Sequence, residues 1–124
     1  MCQILLSINP KHVNNIFNGT KKFEFRKIMC NKEVNSIIFY ATSPVMKIVG
    51  EAAVDEVLVD APSVIWDKTN QYSGITKEFF DKYYVNKRLA VAYKLKDIKE
   101  YKITKKLSEL GVKRAPQSFQ YLTE

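Results

Sequence analysis

The densest set of chemistry-bearing side chains lies between Gly19 and Arg26, in the run Gly-Thr-Lys-Lys-Phe-Glu-Phe-Arg. Phe23 and Phe25 alternate with Lys22, Glu24 and Arg26. That period-2 pattern is the signature of a strand, with two rings entering a core and a charged trio facing the other way. Gly19 permits a tight turn ahead of the strand, Lys21 supplies a compact point charge, and Arg26 presents a planar fork suited to a phosphate or a base edge. Such a set can hold an anionic, hydrogen-bonding ligand. Glu24 shares a strand face with Arg26, so it can hold the guanidinium in place or accept from a ligand amino group. A plain surface salt bridge is the competing reading of the same residues. His12, the single histidine, falls one residue before an apolar helix position and reads as partly exposed and without a catalytic part. Cys2 and Cys30 lack both a CxxC spacing and a histidine pair, so they read as free thiols. No metal and no cofactor is expected.

The elements that must position these groups are visible in the periodicity. Gln3 to Ile8 alternates as a strand, and Asn9-Pro10 caps and opens a helix over Pro10 to Asn18, with Val13, Ile16 and Phe17 on one face and Gly19 as its stop. The strand Lys22 to Arg26 follows. Ser36 to Thr42 is a β-rich run ending before Pro44, and Ile48 to Val59 is a long strand whose alternation slips at Asp55-Glu56, which predicts a bulge. A helix is expected near Ala61 to Thr69. A second one opens at Thr76, with Ile75 and Phe80 spaced as a hydrophobic staple. Its stripe of Phe79, Phe80, Tyr83 and Tyr84 reads as core and not as a platform for bases. Leu89 to Leu95 is a strand with Leu89, Val91, Tyr93 and Leu95 inward and Ala90, Ala92 and Lys94 outward. A brief helix is expected over Thr104 to Leu110, stopped by Gly111, before the return of the tail from Pro116 to Leu122. Several strands without alternating crossover helices favour a small antiparallel or mixed barrel over a doubly wound sheet.

At 124 residues and 46% hydrophobic content, the chain is expected to form a single domain over residues 1–124 with a core of its own. No run approaches the ~20 apolar residues of a membrane-spanning helix. The N-terminus shows no basic region followed by an apolar signal core, so a cytoplasmic location without membrane association is expected. The net charge of +7 is uneven. Residues 1–30 carry five basic side chains against one acidic, residues 31–86 carry five against eight, and residues 87–124 carry ten against four. A fold that brings the two ends together would create a positive face attractive to polyanions.

Three runs carry a family resemblance: ILLSINPKHVNNIFNGTKKFEFRK, IIFYATSPVMKIVGEAAVDEV and APQSFQYL. Together, and in this order, they resemble ASCH domains of the PUA-like superfamily, in which a strand and helix lead to a Gly-x-Lys-x-x-x-x-Arg loop and strand. The resemblance implies an α+β fold, a small PUA-like mixed or antiparallel β-barrel with short flanking helices. It also implies a cationic cleft for RNA or a nucleotide-like small molecule. Lys21, Glu24 and Arg26 would line that cleft. The middle run would add Tyr40, Thr42, Ser43 and Lys47, with the turn at Ser43-Pro44 offering hydroxyls and amides to a phosphate. The tail would add Gln117 and Tyr121 to read and stack a base, and Ser118 beside them. Phe119 and Leu122 are expected to anchor the tail.

Two enzymatic readings accompany the resemblance. Bacterial acetylcytidine amidohydrolases of the superfamily carry Lys-x-x-Thr-x-Arg with the threonine as nucleophile. Here the pattern is Lys21-x-x-Glu24-x-Arg26, and a carboxylate cannot replace that hydroxyl without a different mechanism. Similarity to ASCH proteins proposed to be metal-independent ribonucleases implies Tyr40, Lys47 and Ser118 as candidate catalytic groups, with a base for the 2′-hydroxyl and a cation for the phosphorane. A third class is a module that binds a protein partner and regulates transcription or translation, which needs an exposed apolar patch. The basic ends of the chain favour nucleic acid.

Overall fold

A computed structural model describes residues 2–122. In chain order the elements are β1 (Gln3–Ile8), α1 (Pro10–Phe17), β2 (Phe23–Arg26), β3 (Ser36–Ala41), β4 (Lys47–Asp60), α2 (Pro62–Thr69), α3 (Lys77–Tyr83), β5 (Ala90–Lys105) and β6 (Phe119–Leu122). Short 3₁₀ turns lie at Asn70–Tyr72 and Leu107–Leu110. The strands form one mixed sheet in the order β2-β5-β4-β3-β1-β6, curled into a half-barrel, so the α+β class is as expected. β1 and β3 run parallel and the other pairs antiparallel. A parallel pair needs a long crossover. Residues 9–35 supply it, and they place β2 on the far edge of the sheet, against β5.

The curl returns β2 towards β1. Arg26 Nη2 donates to the Ser7 carbonyl of β1 at 2.9 Å, and Nη1 donates to Ser118 Oγ, just ahead of β6, at 3.3 Å. A side chain, and not a strand ladder, therefore spans the seam. The basic segments at the two ends of the chain meet through β1–β6 and β2–β5, while acidic residues of β4 lie alongside β5.

Three apolar clusters hold the sheet. The largest joins Ile4, Leu6 and Ile8 to Val13 and Ile16 of α1, Ile37, Phe39 and the inward side of β5. A second packs Phe23, Phe25, Ala90 and Ala92 beneath Ile65, Phe80 and Tyr84. The third gathers Leu5, Ile38, Tyr40, Ile48 and Val112. Phe119 packs on the first cluster and Leu122 on the third, which anchors the tail as expected.

Four expectations are corrected. Leu89 is 55% exposed, whereas Ala90 and Ala92 are buried along with Val91 and Tyr93, because α2 and α3 cover the face of β5 expected to be outward. β5 runs on to Lys105 and consumes the start of the helix expected at Thr104; only Leu107–Leu110 turns, closed by Gly111 at φ 72°. The cause is β4, which is long enough to pair Ile48 with Lys105. The aromatic stripe of α3 also divides. Phe80 and Tyr84 are buried, but Phe79 is 48% exposed and Tyr83 half-buried, because positions one apart lie about 100° apart around a helix. Lys22 does not join Glu24 and Arg26, since its ammonium lies 4.2 Å from the Tyr72 ring centroid. The bulge expected near Asp55-Glu56 is present as a register shift between Val54 and Glu56, and Thr76 Oγ1 caps α3 by accepting from the Phe79 amide at 3.1 Å.

Candidate functional site

Asn9 starts α1 by accepting from the Lys11 amide at 2.8 Å, and Gly19, at φ 88°, turns the chain out of the helix. Lys21 then forms a β-bridge with Ser73, and its side chain runs beneath Gly74. Gly74 has φ +70°, and a Cβ built on it would stand 2.5 Å from Lys21 Cβ. The backbone therefore lies directly on the lysine stem, an approach that only glycine allows. Lys21 emerges with 2% exposure. Its Nζ donates to the Ser73 carbonyl at 2.8 Å, stands 3.7 Å from Glu24 Oε1, and lies 4.7 Å from the Phe25 ring centroid. Glu24 Oε2 accepts from Arg26 Nη2 at 2.7 Å. Two basic side chains thus share one buried carboxylate. Burial of such a group is costly unless each charge is partnered, and here the partners are supplied by β2, β1 and the turn before α3.

Above this floor is a cavity of about 170 Å³ whose walls include Ile8, His12, Phe25, Ile75, Phe79 and Tyr83. His12 of α1 and Phe79 of α3 meet edge to face, with centroids 5.6 Å apart at 68°. Burial, reinforced by the charge of Lys21, moves the His12 pKa below its ordinary 6.5, so the ring is neutral near pH 7. Burial also lowers the Lys21 pKa from its ordinary 10.5, with Glu24 opposing. It raises that of Tyr83, keeping the phenol protonated. Among the described residues, His12 Nδ1 and Arg26 Nε are buried without a hydrogen-bond partner. A guanidinium donor, a neutral imidazole and a carboxylate between apolar walls are the groups that recognise a flat ring with a hydrogen-bonding edge.

Of the residues expected at the site, the fold brings together Lys21, Glu24, Arg26 and, through Arg26, Ser118. Thr42 sits beside the cleft without lining it; its amide donates to the Ile8 carbonyl at 3.0 Å, and Ser43 is exposed in the same turn. Tyr40 is buried in the third apolar cluster, and Lys47 lies at the start of β4 opposite Ala41. The alternation of β3 sends Tyr40 away from Phe39 and the first core cluster. Gln117 is exposed. Tyr121 is engaged elsewhere: its hydroxyl accepts from the Lys32 amide at 3.3 Å, and its ring meets Phe119 at 5.5 Å.

Sequence reasoning set aside His12 and Phe79, which line the cleft, and did not single out Ser73 and Gly74. The Ser73-Gly74 pair is a recognisable turn signal, but nothing local says that the turn closes over Lys21.

A curled mixed sheet with an ion-paired cleft at its open seam defines the class: the protein has the ASCH fold. Its structure matches the crystal structure of ASCH from Zymomonas mobilis with a TM-score of 0.89 and 22% identity, over 98% of this chain and 88% of that one. The N-terminal domain of Staphylothermus marinus McrB is more distant, with a TM-score of 0.52 and 14% identity over 87% of this chain and 78% of that one. The chain belongs to the family described as Domain of unknown function (DUF365), which matches residues 2–124. It is also similar to large ribosomal subunit protein uL22 of Ureaplasma parvum serovar 3, 36% identical over 120 residues, covering 96% of this chain and 39% of that protein. A second similarity is to ATP synthase subunit alpha of the same species, 28% identical over 121 residues, covering 96% of this chain and 15% of that protein. The chain therefore spans well under half the length of these relatives.

Proposed function

We propose that this chain, acting as one domain of the PUA-like superfamily, binds RNA or a nucleotide-like ligand in the cleft above Lys21, Glu24 and Arg26. The observation that carries the reading is the buried cluster of Lys21, Glu24 and Arg26, with Arg26 Nε and His12 Nδ1 unpartnered beneath apolar walls. A base fits this chemistry better than a phosphate does. Glu24 would repel an anion at the floor and accept from an exocyclic amino group, while Arg26 donates beside it. The free thiols Cys2 and Cys30 suit a reducing cytoplasm; no helix among the described residues is long and apolar enough to cross a membrane.

A binding role is favoured over catalysis. By the sequence resemblance, Glu24 takes the place of the threonine nucleophile of the acetylcytidine amidohydrolases, and it is already engaged by Arg26 and Lys21. Of the ribonuclease candidates, only Ser118 reaches the cleft residues, while Tyr40 packs in an apolar cluster. The test is a fluorescence titration of the protein with short single-stranded RNA across a salt series. Binding is expected to weaken as salt rises and to be lost in Arg26→Ala. Absence of binding, or equal binding by Arg26→Ala, would sink the proposal. Intact RNA after long incubation is expected, and cleavage that disappears in Ser118→Ala would return the reading to a nuclease.

A protein-interaction role has one observation in its favour. Ile28 and Met29, which follow β2, and Val85 and Leu89, which precede β5, are 55–73% exposed at the same end of that strand pair. Such an apolar set is a feature of interaction surfaces.

A further inference from the structure

The cleft above Arg26 does not end at His12 and Phe79. A second cavity of about 510 Å³ adjoins it and shares Asn9, His12, Ile75 and Phe79 as common walls. We infer that the two compartments together form a site for two consecutive nucleotides of single-stranded RNA. This inference rests on the RNA-binding reading of the inner compartment and assigns the outer one.

Size and chemistry both divide the labour. The inner compartment, at about 170 Å³, lies below the roughly 300–1,000 Å³ of typical small-molecule sites, and the outer one falls within that range. The inner floor carries the carboxylate of Glu24. Among the described residues the outer compartment is lined by no carboxylate: its polar groups include the exposed Lys11 and Gln71, together with Thr20, Asn70 and Thr76, whose side chains also bond Asn18, the Trp66 carbonyl and the Phe79 amide. Those groups match a sugar–phosphate unit and a second base, whereas the inner ones match the edge of a single base. Phe79 lines both compartments with a ring 48% exposed, which offers a stacking face where the two nucleotides would meet. The turn at Ser73-Gly74 lines the outer compartment and leads into Ile75, a wall of both; it is fixed in place by Lys21 Nζ, which donates to the Ser73 carbonyl, and by Asn15 Nδ2, which donates to the Gly74 carbonyl at 3.4 Å. Ordering the inner charge cluster thus also shapes the entrance to the outer compartment.

The experiment compares the four ribonucleoside 5′-monophosphates with the dinucleotides pApA, pCpC, pGpG and pUpU by calorimetric titration. Wild-type protein is expected to bind its preferred dinucleotide about fivefold or more tightly than the corresponding monophosphate, the ratio one additional stacked base supplies. Lys11 and Gln71 are exposed, so the double substitution Lys11→Ala/Gln71→Ala leaves packing intact. It should weaken the dinucleotide more than the monophosphate, whose own sugar and phosphate reach only part of the outer compartment, and Phe79→Ala should do the same. Equal affinity of the two ligands for wild type, with both lost in Arg26→Ala, would overturn this inference and leave the functional reading standing. Equal weakening of both ligands by the double substitution would also overturn it. Failure of wild type to bind any of them, or longer RNA, would overturn the functional reading and this inference with it.

Discussion

Two clusters in this molecule share one composition, a carboxylate flanked by two cations. Glu24 lies 2.7 Å from Arg26 and 3.7 Å from Lys21, and the three side chains are 2–13% exposed. Asp55 lies 3.7 Å from both Lys94 and Lys96, and those side chains are 42–52% exposed. Distance alone hardly separates the pairs at 3.7 Å. Solvent does. Water and salt screen the Asp55 cluster, where such pairs contribute about 0–1 kcal/mol. At the Glu24 cluster the same charges have lost most of their hydration, and each must be satisfied by the protein or by a ligand. An exposed triad can form and break with little consequence, whereas a buried one fixes the side chains around it and gives a cleft a defined polarity.

The largest expected effect follows directly. Glu24→Gln keeps the shape of the side chain but leaves Lys21 and Arg26 buried without their shared counter-charge. Breaking a buried pair in this way costs about 3–5 kcal/mol, to be read from urea denaturation. A loss below about 1 kcal/mol would mean that the buried cluster is no different from the exposed one.

A smaller effect is expected where the backbone meets the cluster. Gly74 and Gly111 have nearly the same left-handed conformation, φ +70° and +72°, but a Cβ at Gly74 would meet the Lys21 stem at 2.5 Å while one at Gly111 meets nothing within 4 Å. Alanine at either position carries the left-handed penalty of about 1–2 kcal/mol. Gly74→Ala should exceed Gly111→Ala by about 1–3 kcal/mol, the cost of overpacking, and should weaken ligand binding as well. Equal destabilisation of the two variants, with binding intact, would show that Lys21 is free to move and that its burial is incidental.

The contrast between the clusters also explains what the sequence reveals. Lys21, Glu24 and Arg26 lie within six residues, so strand alternation and local spacing are enough to group Glu24 with Arg26. Their burial is not local. It depends on the Ser73-Gly74 turn, 52 residues from Lys21 in sequence, and on the curl that carries Arg26 to Ser7 and Ser118. The Asp55 cluster requires the β4–β5 register, which contains three shifts, and alternation cannot be carried through a ladder that slips so often. Similarly, the cap at Thr76 locates α3 and the staple spacing pairs Phe80 with Ile75, but the alternation of rings along α3 does not by itself tell which of them face the sheet. That choice depends on Phe25 and Trp66, whose rings lie 5.4 and 4.9 Å from that of Phe80. The site residues expected from the middle and tail runs scatter for the same reason: Tyr40 and Tyr121 are committed to packing that only the assembled sheet defines.

The smallest expected effect is the one that makes the comparison quantitative. Asp55→Asn removes the charge at the exposed cluster and leaves Lys94 and Lys96 adjacent, but both ammonium groups remain about half in water. Their mutual repulsion is screened over a Debye length of about 10 Å at 0.1 M salt and about 3 Å at 1 M. Destabilisation should therefore be at most about 1 kcal/mol at low salt and should fade towards zero at 1 M sodium chloride. Glu24→Gln, measured in parallel, should keep most of its penalty at 1 M, because counter-ions cannot reach between Lys21 and Arg26 beneath Gly74. Salt thus separates what the distances do not. Two penalties that decline together would place both clusters in contact with solvent, and the cleft would lose the fixed polarity on which the proposed recognition of a base rests.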